Sequence, residues 1–77
     1  MSIVVAEVRF YYTDEDWGEA FFRVRAAFRT WEAAEAWAED KPARLAQARE
    51  EWDEAFEPVP AFDPACEYLF SEIPLYD

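Results

Sequence analysis

The stretch VVAEVRFYYTDEDWGEAFFRVRAAF, Val4 to Phe28, decides the fold. In its first half Val4, Ala6, Val8, Phe10 and Tyr12 are separated by Glu7, Arg9 and Tyr11, the period-two pattern of a strand with one buried face. Ile3 and Val5 make the beginning apolar on both faces, as expected of a central strand. Thr13-Asp14-Glu15-Asp16-Trp17-Gly18 then supplies turn chemistry. A second alternation follows, with Ala20, Phe22, Val24, Ala26 and Phe28 on one face and Arg23, Arg25 and Arg29 on the other. Two matching alternations around a short loop predict an antiparallel hairpin.

After the hairpin the period changes. Thr30 is a good N-cap, and Trp31, Ala34, Trp37 and Ala38 recur at helical spacing through Asp40. Pro42 cannot sit inside a helix without losing a hydrogen bond, but it fits the first turn of a new one. A break near Asp40-Lys41 is therefore expected. Leu45, Ala48, Trp52 and Phe56 then form a single-face stripe, and Pro58 and Pro60 are expected to end the helix. The segment EPVPAFDPA is a stiff connection, and CEYLFSEIPLY, Cys66 to Tyr76, reads as a last strand whose Pro74 assigns its end to a sheet edge. The expected class is α+β, in the order β-β-α-α-β. A three-stranded, mainly antiparallel sheet would carry both helices on one face, within a single compact domain over residues 1–77.

Composition bounds what such a domain does. Seven Phe, four Trp and four Tyr give a small chain enough apolar area for a core. Fifteen aromatics also fit poorly with a surface tuned only for high salt. The chain has 18 acidic and 7 basic residues, a net charge of −11. Residues 1–49 hold nine acids and seven bases; residues 50–77 hold nine acids and no base. This balance repels nucleic acid and anionic membranes and attracts basic protein surfaces. The lone Cys66 excludes an internal disulfide and is expected to pack. No secretion-type leader and no apolar run of spanning length is seen, so the expected location is the cytoplasm.

Catalytic readings find little support. The chain has no histidine, so the usual general base and the commonest metal ligand are missing. Cys66, Ser2 and Ser71 have no activating partner in the pattern, and one glycine cannot build a phosphate loop. Asp14, Glu15, Asp16 and Glu19 cluster in the hairpin loop, but their spacing does not match a calcium loop. The expectation is a non-enzymatic protein without cofactor or metal.

The acids themselves are the candidate site. In EEWDEAFE, Glu50, Glu51, Asp53, Glu54 and Glu57 surround Trp52 and Phe56 without a basic residue. On the helix expected to run through this stretch, like-charged neighbours three and four apart each cost about 0.2–0.5 kcal/mol. The last turn is also the wrong end of a helix for negative charge. Glu32, Glu35 and Glu39 repeat the arrangement on the first helix, and Asp14, Glu15 and Asp16 add the hairpin loop. Carboxylates about 5–6 Å apart approach the spacing of phosphates along one strand, roughly 3.4 Å of rise each. Rows of this kind are expected to occupy a Lys/Arg groove built for nucleic acid.

In size, in the hairpin-then-helix plan, in the junction FRTWEAAEAWAED and in the acidic rows ending in EEWDEAFE, the chain resembles the small acidic phage-encoded anti-CRISPR inhibitors of type I systems. The resemblance covers the whole chain but is one of format and carries no diagnostic motif. It implies a DNA-mimicking monomer that binds a basic subunit of a CRISPR-Cas effector, blocks target DNA, and does not bind nucleic acid itself. The alternative is an acidic interaction module, antitoxin-like or an orphan phage protein, whose partner is not a nucleic-acid-binding site. Arg9, Arg23, Arg25 and Arg29, with Tyr11 and Phe21, are expected on the sheet face opposite the helices. RNA binding there is disfavoured by the net charge; dimerisation or an acidic partner fits better.

Overall fold

The computed structural model describes residues 1–52 and 58–75. It contains β1 (Ser2–Asp14), β2 (Gly18–Phe28), α1 (Trp31–Glu39), α2 (Lys41–Glu51) and β3 (Cys66–Pro74). The sheet order is β2-β1-β3 and both pairings are antiparallel, so the α+β class and the β-β-α-α-β order hold. β1 is central, in keeping with its two-sided apolar start.

Register follows the alternation. Val8 lies opposite Val24, Phe10 opposite Phe22, and on the other side Ala6 opposite Phe70 and Phe10 opposite Cys66. Opposed residues share a face, so Val4, Ala6, Val8 and Phe10 sink together under the helices. Ala34 and Ala38 of α1 and Ala48 of α2 are also buried, and their small side chains let both helices lie close to the sheet. Trp37, Leu45, Phe62, Cys66 and Phe70 pack around the edge of this core. Cys66 is a packing residue of the core margin, as its strand-start position suggested.

Side chains fix the ends of the elements. Asp14 Oδ1 accepts the backbone N–H of Asp16 at 2.8 Å and of Trp17 at 3.1 Å, closing the hairpin. Gly18 then adopts φ +79°, the left-handed conformation that completes a short hairpin turn. Gly18→Ala is expected to lose about 1–2 kcal/mol. A Cβ there meets no atom within 4 Å, so the loss is conformational; urea unfolding curves measure it. Thr30 Oγ1 caps α1 by accepting from Ala33 N–H, and Asp40 Oδ1 caps α2 by accepting from Ala43 N–H, with Pro42 in the first turn.

Two boundaries differ from the sequence reading. α2 ends at Glu51, and Trp52 is its C-cap with extended backbone (φ −65°, ψ 134°), not a residue of its interior. Glu50 and Glu51 oppose the helix dipole at this end. The Trp52 ring, meanwhile, packs on Tyr12 and Phe22, each 5.3 Å away, and on Phe62. Phe56, Asp53, Glu54 and Glu57, and the helical like-charge pairs expected there, lie outside the described residues. β3 ends at Pro74, although Leu75 N–H just beyond it still donates to Met1 C=O at 2.8 Å; as an edge strand β3 tolerates the missing proline donor.

Candidate functional site: acidic rows and an arginine-centred sheet face

The exposed acids of the candidate rows fall into two described groups. Glu15 and Asp16 project from the hairpin turn, and Glu50 and Glu51 from the end of α2. These four share one end of the molecule, since the Trp52 cap rests on Tyr12 just before the turn. The depression beside the turn is also lined by Pro58, Val59 and Pro60, which follow that helix in the chain. Asp14 belongs to the same end but is half-buried and holds the turn. Glu32, Glu35 and Glu39 form the second group, all exposed along α1, which starts from the opposite end of the sheet. The structure therefore separates the α1 row from the hairpin and α2 acids.

The Tyr68 phenol is held above its ordinary value, first by hydrogen bonding with the Cys66 side chain, then by burial and the charges of Cys66 and Glu39. Among the described residues every ion pair converges on Glu7, so neither acidic group is neutralised by a side-chain cation. Trp17 at the hairpin tip is 87% exposed, an uncovered indole beside three carboxylates. Its position in a turn was legible, but the turn pattern does not say which way the ring points.

The second feature is the sheet face turned away from the helices. Register puts Glu7, Arg9 and Tyr11 of β1 on it, beside Arg25, Arg23 and Phe21 of β2. On the other side Leu69 lies opposite Glu7 and Glu67 opposite Arg9. This agrees with the sequence expectation, except that Arg29 lies one residue beyond β2. Glu7 is only 8% exposed. Its carboxylate accepts from Arg9 Nε and lies 3.9 Å from Arg23 Nη1 and 3.8 Å from Arg25 Nε. Arg9 also stacks over the Phe21 ring at 4.7 Å, and the hydrogen bond it donates to Glu7 raises its pKa further above an already high value. The Tyr11 hydroxyl donates to Glu67 Oε2 at 2.7 Å, which holds its pKa above that of an ordinary phenol. That three guanidiniums share one buried carboxylate is set by cross-strand register.

No group of three or more His, Cys, Asp or Glu side chains among the described residues is placed to hold a metal ion. Nor is any described helix long and apolar enough to cross a membrane. The chain matches no family model, no curated protein and no solved structure.

Proposed function

We propose that this chain is a non-enzymatic binding protein whose acidic surface occupies a basic, nucleic-acid-binding protein surface. In its specific form it is a DNA-mimicking anti-CRISPR protein, encoded by a phage, that acts in the host cytoplasm on a type I surveillance complex. One observation carries the reading. Glu15 and Asp16 of the hairpin turn, the acids of α1 and those at the end of α2 are exposed, and among the described residues no cation pairs with them.

Most surface charge runs are merely solvated. Here, however, Arg9, Arg23 and Arg25 gather at Glu7 on the sheet face, so the acidic groups have no ion-pair partner among the described residues and each keeps a negative field. Such a field steers association with a Lys/Arg-lined groove and discriminates against nucleic acid itself.

The test is competition. A purified type I surveillance complex is mixed with labelled target duplex and increasing amounts of the protein, and retention of the duplex is read by anisotropy. The duplex is expected to be displaced, with affinity for the protein falling at least tenfold between low and moderate salt. Neutralising Glu15, Asp16, Glu50 and Glu51 to Gln or Asn should weaken displacement by more than tenfold while thermal stability holds or rises. Neutralising Glu32, Glu35 and Glu39 separately tells which group makes contact. Binding that leaves DNA recruitment intact would exclude the mimic and favour an interaction module acting elsewhere, for which the arginine-centred face is the natural second surface.

A further inference from the structure

The sheet face away from the helices is uncovered among the described residues, and its chemistry is unlike that of the acidic ends. Three guanidiniums share one carboxylate, which leaves a local excess of positive charge in a protein of net charge −11. The charge is unevenly distributed across β1: Arg23 and Arg25 stand on the β2 side, and Glu67 on the β3 side. Toward the other end the face is apolar. Val5, Leu69 and Ile73 line a shallow depression with Glu7, Arg9 and Arg25, and Ile73 is 44% exposed.

We propose that a second copy of the chain covers this face, packed sheet on sheet about a two-fold axis running nearly along β1. This does not rest on the reading of the acidic rows. A two-fold axis in that direction exchanges the β2 side for the β3 side and preserves position along the strand. Arg23 of each copy then stands over Glu67 of the other, so the same ion pair forms twice. Arg25 lies over Leu69, which its aliphatic stem covers. Every β1 residue of this face meets its own counterpart on the axis: Ile3 and Val5 pack together, and the Glu7–Arg9 pair of one copy meets that of the other, which sets the Arg9 of each beside the Glu7 of its partner. Aligned sheets pack about 10 Å apart at an angle near 30°, a gap that facing Arg and Glu side chains bridge together.

Other self-contacts are worse matched. A two-fold axis across the strands through the Arg25 level would set Arg25 against Arg25. Edge pairing of β2 with its copy about Val24 would set Arg23 directly opposite Arg25, and like charges so placed are destabilising. Contact through the helices would bring two rows of Glu32, Glu35 and Glu39 together. The face from Ile3 to Tyr11 across three strands measures roughly 30 by 15 Å. The dimer would thus bury on the order of 1,000 Å² in all, near the lower limit for a specific interface. A weak dimer follows, with a dissociation constant on the order of 10–100 µM.

Sedimentation equilibrium of the whole protein across about 5–500 µM brackets that affinity. Arg23→Glu and Glu67→Arg, each confirmed folded by its circular-dichroism melt, are expected to weaken self-association at least tenfold. Mixing the two variants, or combining both changes in one chain, should restore it, because both facing 23–67 pairs are again of opposite charge. A parent protein that stays monomeric to the top of the range overturns the proposal. So does an Arg23→Glu variant that dimerises as the parent does, or a folded double variant that does not recover. A monomer whose face residues shift in NMR spectra on adding polyglutamate would assign the face to an acidic partner instead.

Discussion

Phe10→Ala is expected to remove about 3–5 kcal/mol of stability, the usual loss when a buried aromatic is truncated in a packed core. Phe10 is fully buried at the centre of β1, between Phe22 and Cys66 in register, and its ring lies 5.8 Å from that of Phe62. It packs in one cluster with Val8, Val24, Ala38 and Ala48, so it joins the sheet to both helices. A chain of 77 residues has a total stability of only about 4–12 kcal/mol. The variant therefore keeps little margin, and its melting temperature should fall by roughly 15–30 °C. Phe10→Leu, which retains much of the volume, should lose less than about 1.5 kcal/mol. Thermal and urea unfolding of both variants check this. Equal losses would mean that contacts specific to the ring, and not the cavity, set the effect.

The second large effect is electrostatic. Glu7→Gln keeps the side chain's size but leaves Arg9, Arg23 and Arg25 without their shared anion. Removing one member of a buried pair costs about 3–5 kcal/mol. Here the Arg23 and Arg25 side chains are about half exposed to solvent, so roughly 2 kcal/mol is expected after screening. The sign of the salt response separates causes. If cation repulsion accounts for the loss, high salt should narrow the gap between variant and parent. A gap unchanged by salt would point to lost packing or hydrogen bonding. Arg25→Gln in the Glu7→Gln background should recover part of the loss, a coupling that a double-mutant cycle measures.

Both predictions turn on the two faces of one strand, and only one of those faces was fully legible in the sequence. The buried face was plain: Val4, Ala6, Val8 and Phe10 match Val24, Ala26 and Phe28 in period and size, and the helical stripe that follows them in the chain was the expected cover. Thr30 and Pro42 likewise announced the helix starts, because such signals depend on neighbours within three or four residues, while the Asp40 cap of α2 came with the structure. The end of α2 was not legible. The stripe continues in sequence through Trp52 and Phe56, but Trp52 is held by rings at positions 12, 22 and 62, none of them local.

The acidic rows show the same division. Their excess charge is a property of composition, and their placement near element ends follows from local pattern. That Asp14 is committed to the turn, that Glu15 and Asp16 join Glu50 and Glu51 at one end, and that the α1 row stands apart are consequences of packing.

By itself, the sequence determined the hairpin, the two capped helices, the α+β class and the strongly acidic balance, since each depends on spacing within a few residues or on composition. Only the tertiary structure decided that β3 pairs with β1 in a register that sets Glu67 opposite Arg9, 58 positions apart. It also decided that β2 brings Arg23 and Arg25 to Glu7. The physical reason is that strand pairing joins distant segments through backbone hydrogen bonds that carry no side-chain code. Which charges become neighbours is then fixed by where the apolar face comes to rest under the helices.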